Sequence, residues 1–240
     1  MITGIIIALP DEISSLTNKK INKGECIFIN DNILLSCSGT GPVNATKASW
    51  QLIDQGAERL ISWGCAAALD HALKPGDLVL PKTLQAEDKN QFSIENPWLT
   101  YTLKQLSTLN PLTGVLAESS TIVAESIAKQ AIQQQSGAIA LDMESIAIAK
   151  VAKQHNTPIL VIRSIADPVS MDLPKAVSYS LNNQGDVVLS KLLWFLLTHP
   201  AELPSLIKLG LHFNAAKNKL KLVANQIDII ISFNQQTVAQ

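Results

Sequence analysis

The run Leu141-Asp142-Met143-Glu144-Ser145, followed by Pro158-Ile159-Leu160-Val161-Ile162-Arg163-Ser164-Ile165-Ala166-Asp167-Pro168, decides the fold. Ile159 to Ile162 form a continuous apolar run, which suits a strand covered on both faces of a parallel or mixed sheet. The segment before it, from Glu144 to Gln154, is rich in small residues and reads as a helix. A helix feeding a buried strand that ends in a carboxylate is an α/β unit, and in open α/β sheets ligands bind outside the carboxyl ends of the strands. Asp167 stands at that end. Pro168 removes a backbone donor and biases Asp167 toward an extended conformation. A carboxyl delivered there to the rim of an apolar core keeps its proton more readily, as a general acid must. A solvated turn aspartate is the competing reading.

Outward from this unit, two more acids occupy comparable settings. Glu144 lies two residues from Asp142, so the pair does not share a helix face and paired-carboxylate chemistry between them is not expected. Glu144 reads either as a ligand for vicinal hydroxyls or as an acid stabilising the first turn of its helix. Ile2 to Ala8 reads as a first buried strand, and Leu9-Pro10-Asp11-Glu12 then opens a helix. Glu12 is expected to be kept ionised by the helix dipole and to hold water or act as a base; ordinary helix-start chemistry is the alternative.

Two glycine-bearing segments complete the pattern. The strand Ile33 to Ser38 leads into Gly39-Thr40-Gly41-Pro42 and a helix from about Val43 to Gln55, and the strand Leu60 to Trp63 leads into an expected turn, Gly64-Cys65-Ala66-Ala67-Ala68. Small residues there admit a ligand close to the backbone or serve tight packing. Neither segment fits a phosphate-loop or dinucleotide fingerprint.

These segments together resemble the purine nucleoside phosphorylase and nucleosidase superfamily. The resemblance rests on Gly4-Ile5-Ile6 through Glu12, Ser38-Gly39-Thr40-Gly41, Trp63-Gly64-Cys65-Ala66-Ala67 with Lys74-Pro75-Gly76-Asp77-Leu78-Val79, Asp142-Met143-Glu144, and Arg163-Ser164-Ile165-Ala166-Asp167. It implies a three-layer α/β/α sandwich around a central twisted mixed β-sheet. It also implies that Asp167 protonates or hydrogen-bonds the purine, Glu144 holds the ribose hydroxyls, Met143 packs beside the sugar and Glu12 positions the attacking water. Ile122 and Val123 fall in the purine-contacting segment, and Gly64, Cys65, Ala66 and Thr40 in the remaining ligand contacts.

Within the superfamily the chain is more similar to hopanoid-associated phosphorylase-like proteins, through Ser62 to Val79, Asp142-Met143-Glu144-Ser145, Ala166-Asp167-Pro168 and the segment from Leu192 to Pro204. That likeness implies release of adenine from a lipid-linked nucleoside, adenosylhopane; hydrolysis of methylthioadenosine or adenosylhomocysteine and noncatalytic nucleoside binding are the alternatives. Ala66-Ala67-Ala68 departs from a more glycine-rich pattern, and Ser14 stands where the subfamily often has arginine. The chain's arginines are Arg59 and Arg163 alone. Arg163 lies within a buried-strand pattern, where its charge requires a partner. Without a clear clamp for inorganic phosphate beyond groups near Thr40, the reading favours hydrolysis over phosphorolysis.

Composition agrees. A chain of 240 residues, 47% hydrophobic and 16% charged, can bury one substantial core. One domain is expected, with 190–240 as a helical extension. The net charge of -1 and the lack of interleaved basic and aromatic runs give no footprint for nucleic acid. Cys26, Cys37 and Cys65 do not suggest a disulfide framework, and His71, His155, His199 and His212 lack metal-ligand spacing; no cofactor or metal is expected. Cys65 reads as small-residue packing rather than as a nucleophile. No signal segment is apparent at the start, and a cytoplasmic location is expected. Lys82 to Asn110 reads as an active-site lid or as a surface loop anchored by Trp98 and Tyr101. Near the end, Ile207, Phe213, Leu220, Val223, Ile227 and Ile230 recur near one helical face among lysines. Such a helix packs on the core, meets a second copy, or lies peripherally on a membrane. The superfamily resemblance implies a homodimer or larger homo-oligomer.

Overall fold

The computed structural model describes residues 1–180 and 188–234; the extension read as 190–240 therefore runs beyond the described residues. Its centre is a mixed sheet. Strands β1 (Ile2–Ile7), β3 (Ile33–Cys37), β4 (Ala57–Ala68) and β10 (Ile159–Asp167) run parallel in the order β3-β1-β4-β10, and β2 (Cys26–Asn30) closes one edge antiparallel to β3. β9 (Ala140–Asp142) pairs antiparallel with the end of β4 and continues the sheet through β8 (Val115–Glu118), β6 (Thr83–Gln85) and β7 (Gln91–Ser93). The short β5 (Leu78–Val79) lies antiparallel beside β10.

Strand alternation sorts the apolar side chains into two cores. Ile6, Leu34 and Val161 face one side, where Ala45, Ala48 and Leu52 of α2 (Pro42–Asp54) and Ile146 and Ala149 of α5 (Ser145–Gln154) cover them. Ile5, Ile7, Ile61, Leu160 and Ile162 face the other, beneath Trp98 and Leu99 of α3 (Pro97–Gln105), Leu220 and Val223 of α8 (Leu203–Ala224), and Ile230 of α9 (Ile227–Ile231). The result is the α/β/α sandwich expected from the sequence. Helix α2 can start where it does because Gly41 takes a positive φ of 88° and Pro42 supplies a helical φ.

Three expectations need correction. Gly64 to Ala68 is not a turn: β4 continues through it, paired with β10 along Gly64 to Ala67 and with β9 at Ala67 and Ala68. Pairing on both edges overrides the weak strand preference of glycine and alanine. Residues 82–110 are not a lid. They form the β6–β7 hairpin and α3, whose Trp98 is buried and donates from Nε1 to the Ile230 carbonyl at 2.8 Å. The apolar pattern after Pro204 is not one buried face either. In α8 the second half packs down through Ala216, Leu220 and Val223, whereas Ile207 is exposed.

Candidate active site

At the carboxyl ends of β1, β4 and β10, beside Met143 and Glu144, opens a cleft of about 310 Å³ lined by Glu12, Glu144 and Asp167. Glu12 lies more than a hundred positions before Glu144 and Asp167 in the sequence, and the parallel register of β1, β4 and β10 brings the strand ends to one rim. Met143, Cys65, Ala66, Thr40, Ile122 and Val123 also line it, as expected. Gly64 does not. Its role is spatial: a Cβ added there would stand 2.7 Å from Arg163 Nη1 and 2.9 Å from Glu12 Oε2. Only a residue without a side chain leaves room for these two groups at the cleft wall.

Glu12 belongs to α1 (Pro10–Ile13), a single turn. Its Oε1 accepts the Cys65 N–H at 2.7 Å and its Oε2 the Leu9 N–H at 3.2 Å. Burial raises its pKa above the usual carboxylate range, against the lowering effect of these bonds and of Arg163. The expectation that the helix dipole would set its charge is thus corrected: one helical turn has little dipole, and desolvation dominates. A raised pKa makes Glu12 a stronger base.

Arg163 has the buried partner its position required. Its Nη2 lies 2.6 Å and its Nε 2.7 Å from Asp142 Oδ2, and Nη2 donates to Ser62 Oγ at 2.7 Å. Ser145 Oγ also donates to Asp142 Oδ2. Burial alone would depress the arginine pKa, but Asp142, Glu144 and Glu12 outweigh it and raise it. Asp142 is thereby committed to Arg163 and serves as its counterion.

Glu144 precedes α5 and directs Oε1 across the cleft to the Gly41 N–H, at 2.8 Å. Burial, followed by repulsion from Asp142, pushes its pKa up to about 7. One oxygen is therefore anchored to the glycine turn, which leaves the other for a hydroxyl ligand.

Asp167 is the last residue of β10. Its Oδ2 lies 2.6 Å from Lys129 Nζ, while Oδ1 is buried without a hydrogen-bond partner among the described residues. Burial raises its pKa, opposed by the bond and charge of Lys129. The Cys65 thiol is pushed well up by burial and by Glu12, which fits packing rather than nucleophilic attack.

Sequence reasoning missed Lys129, which sits in a glutamine-rich helix, and the apolar wall of Leu173, from the loop after β10, Val177 of α6 (Lys175–Ser180) and Phe213 of α8. The apolar residues that recur near one helical face after Pro204 hinted at Phe213 alone. Among the described residues no cluster of His, Cys, Asp or Glu could hold a metal ion.

Known proteins are similar to this chain in sequence and fold. A 5'-methylthioadenosine/S-adenosylhomocysteine nucleosidase of Staphylococcus epidermidis is 29% identical over 194 residues, 68% of this chain and 85% of that protein. The crystal structure of the Helicobacter pylori nucleosidase of the same name, with butyl-thio-DADMe-Immucillin-A, has a TM-score of 0.69 at 18% identity and covers 96% of this chain and 97% of its own. Futalosine hydrolase of Helicobacter pylori has the same fold, with a TM-score of 0.69 at 16% identity over 96% of this chain and 97% of its own. The Phosphorylase superfamily matches residues 3–187, strand β1 through the segment after α6 (Lys175–Ser180), and so takes in every acid of the cleft. That match spans most of the chain, and the chain belongs to that superfamily.

Proposed function

We propose that the chain hydrolyses the N-glycosidic bond of an adenine nucleoside whose 5′ group is apolar. The observation that carries this reading is the convergence of Glu12, Glu144 and Asp167 on one cleft with different anchoring. Breaking the C1′–N9 bond leaves positive charge on the sugar and negative charge on the base. Asp167 Oδ1 delivers a proton to the departing purine, and Glu12 takes one from a water that attacks C1′ from the opposite face. Glu144 accepts sugar hydroxyls and fixes the reacting geometry. The products are adenine and the free sugar. Glu12, Met143 and Glu144 fill the roles implied by the superfamily resemblance, and three acids held so specifically argue against a noncatalytic binding protein.

Two features favour water over phosphate as the nucleophile. Arg163, the cation on the cleft wall, is neutralised by Asp142, and the Gly41 N–H is taken by Glu144. An entering anion would meet Glu12, Asp142 and Glu144 without a free cationic side chain among the cleft-lining residues.

The apolar 5′ group is supported by Leu9, Ile122, Leu173, Val177 and Phe213, which line the same cleft. Outside it, α7 (Leu189–Thr198) exposes Leu193, Trp194 and Leu197, and the first half of α8 exposes Leu203, Ile207 and Leu211 at a four-residue spacing. No helix among the described residues is long and apolar enough to cross a membrane. Exposed apolar faces on successive helices suit shallow peripheral contact with a bilayer, the source of a lipid-linked nucleoside of the adenosylhopane type. Methylthioadenosine or adenosylhomocysteine is the second reading, favoured by the names of the similar proteins. Homo-oligomer assembly, implied by the superfamily, belongs to the same proposal.

A series of 5′-alkylthioadenosines in phosphate-free buffer tests both parts. Adenine and free sugar should appear without phosphate, and kcat/KM should rise with alkyl length by about threefold or more per buried methylene, as about 0.8 kcal/mol each implies. An absolute phosphate requirement would overturn hydrolysis; a kcat/KM greatest for the methylthio compound would overturn the preference for a large apolar group.

A further inference from the structure

Lys129 belongs to α4 (Ser126–Ser136), away from the strand ends, yet its side chain is fully buried. An ammonium group is desolvated only where fixed oxygens replace its water. Here Nζ donates to the Met171 carbonyl at 2.8 Å and the Pro168 carbonyl at 3.3 Å, and pairs with Asp167 Oδ2 at 2.6 Å. The loop following Asp167 thus wraps the ammonium, and the same loop caps α4, because Asp172 Oδ1 accepts the Ser126 N–H at 2.6 Å. The arrangement is asymmetric at its target: one Asp167 oxygen is clamped and the other is buried and unpartnered beside the cleft.

We infer that Lys129 is a positioning residue, which clamps Asp167 Oδ2 so that Oδ1 faces the purine and sets how tightly that carboxyl holds its proton. The inference rests on the reading of Asp167 as the acid that meets the base. Its physical content is a balance of named groups: burial and the Asp172 charge favour the protonated carboxyl, and Lys129 opposes them. Without Lys129 the carboxyl would keep its proton to higher pH and would also lose the contact that fixes its rotamer. With it, the acid remains both oriented and able to release its proton to the base.

The test is the pH profile of kcat/KM for adenine release by the full chain carrying Lys129→Met or Lys129→Gln, with Asp167→Asn as reference. In the parent, activity should fall as pH rises through the titration of Asp167. Loss of an adjacent cation shifts a carboxyl by about 1–3 pH units, so both lysine variants should move this alkaline limb upward by about one unit or more. They should also lose about tenfold in kcat, with little change in KM. A residue that only staples the loop would change stability or folded yield and leave the limb in place, which would overturn the inference. If Asp167→Asn keeps parent activity, the underlying reading of Asp167 fails instead; an inactive Asp167→Asn with an unmoved limb in the lysine variants removes Lys129 alone. Should neither lysine variant fold, aspartate labelled with carbon-13 at Cγ serves in the unmutated chain. With lysine also labelled with nitrogen-15, one lysine Nζ signal should titrate at the pH midpoint of the Asp167 signal, identified by its loss in Asp167→Asn, and the lack of any lysine signal that follows it would overturn the clamp.

Discussion

Asp167→Asn should lower kcat/KM for adenine release by about 10²–10⁴-fold, the range a positioned general acid contributes. The substitution keeps the shape at the end of β10 and retains an oxygen that can accept from Lys129 Nζ, while it removes the ionisable proton. Substrate affinity should change little, because the purine still meets a polar group in the same place. The profile against pH carries the sharper signature. In the parent the protonated carboxyl is the active form, and burial extends that form above the usual aspartate range, so activity is lost as pH rises through the Asp167 pKa. The variant has no such group, and its residual activity should lack that limb. Stopped assays of adenine formation across pH check both statements; parent-level turnover in the variant would remove Asp167 from the chemistry.

The second large effect concerns stability. Arg163→Met should destabilise the fold by about 3–5 kcal/mol, since removing one partner of a buried ion pair leaves the other charge uncompensated. At about 2–4 °C per kcal/mol for a domain of this size, the melting temperature should fall by roughly 6–20 °C. The reason is local. Asp142, Glu12 and Glu144 all face Arg163, which lowers the cost of holding acids together in a buried site. Without it the acids must take up protons, and Glu144, whose pKa already lies at about 7, should hold its proton further into the alkaline range. The sign for stability follows. A carboxyl with a raised folded pKa binds protons more readily folded than unfolded, so Glu144 makes the fold less stable as pH climbs from about 4.5 to about 7. That decline should extend to higher pH in Arg163→Met. Thermal melts of both proteins across this range provide the check; equal melting temperatures at every pH would contradict the assigned role of Arg163.

The legible parts of the molecule were those with local causes. The apolar run before Asp167, the proline after it and the small-residue helix before it reveal a strand end bearing an acid, and β10 ends there. The proline-and-acid start after β1 and the Gly39-Thr40-Gly41 segment likewise mark two more places on the rim. What stayed hidden depends on distant partners. β4 runs on through Gly64 to Ala68 because β9 and β10 supply its hydrogen bonds, a fact absent from five small residues. Nothing in the sequence around Lys129, which precedes a run of glutamines, marks it; its role comes from the carbonyls of Pro168 and Met171 in a distant loop. Glu12 reads as a dipole-stabilised helix acid, and only the packed cleft shows that desolvation governs it. Part of the apolar side of the cleft escaped for the same reason: Val177 arrives from α6 and Phe213 from α8, both after the last acid.

The central claim is that Glu12, Glu144 and Asp167 grip one nucleoside from three directions. A crystal structure of the full chain with an adenine transition-state analogue carrying a 5′-alkylthio group tests it most directly. The account predicts Asp167 Oδ1 within about 3 Å of the purine ring nitrogen, Glu144 at similar range of a sugar-mimic hydroxyl, and Glu12 on a water across the ring, all at hydrogen-bond distance. The alkyl chain should lie against Phe213 and Val177. An analogue bound elsewhere, or in the cleft with any of the three acids out of hydrogen-bond reach of the ligand and its attacking water, would contradict it.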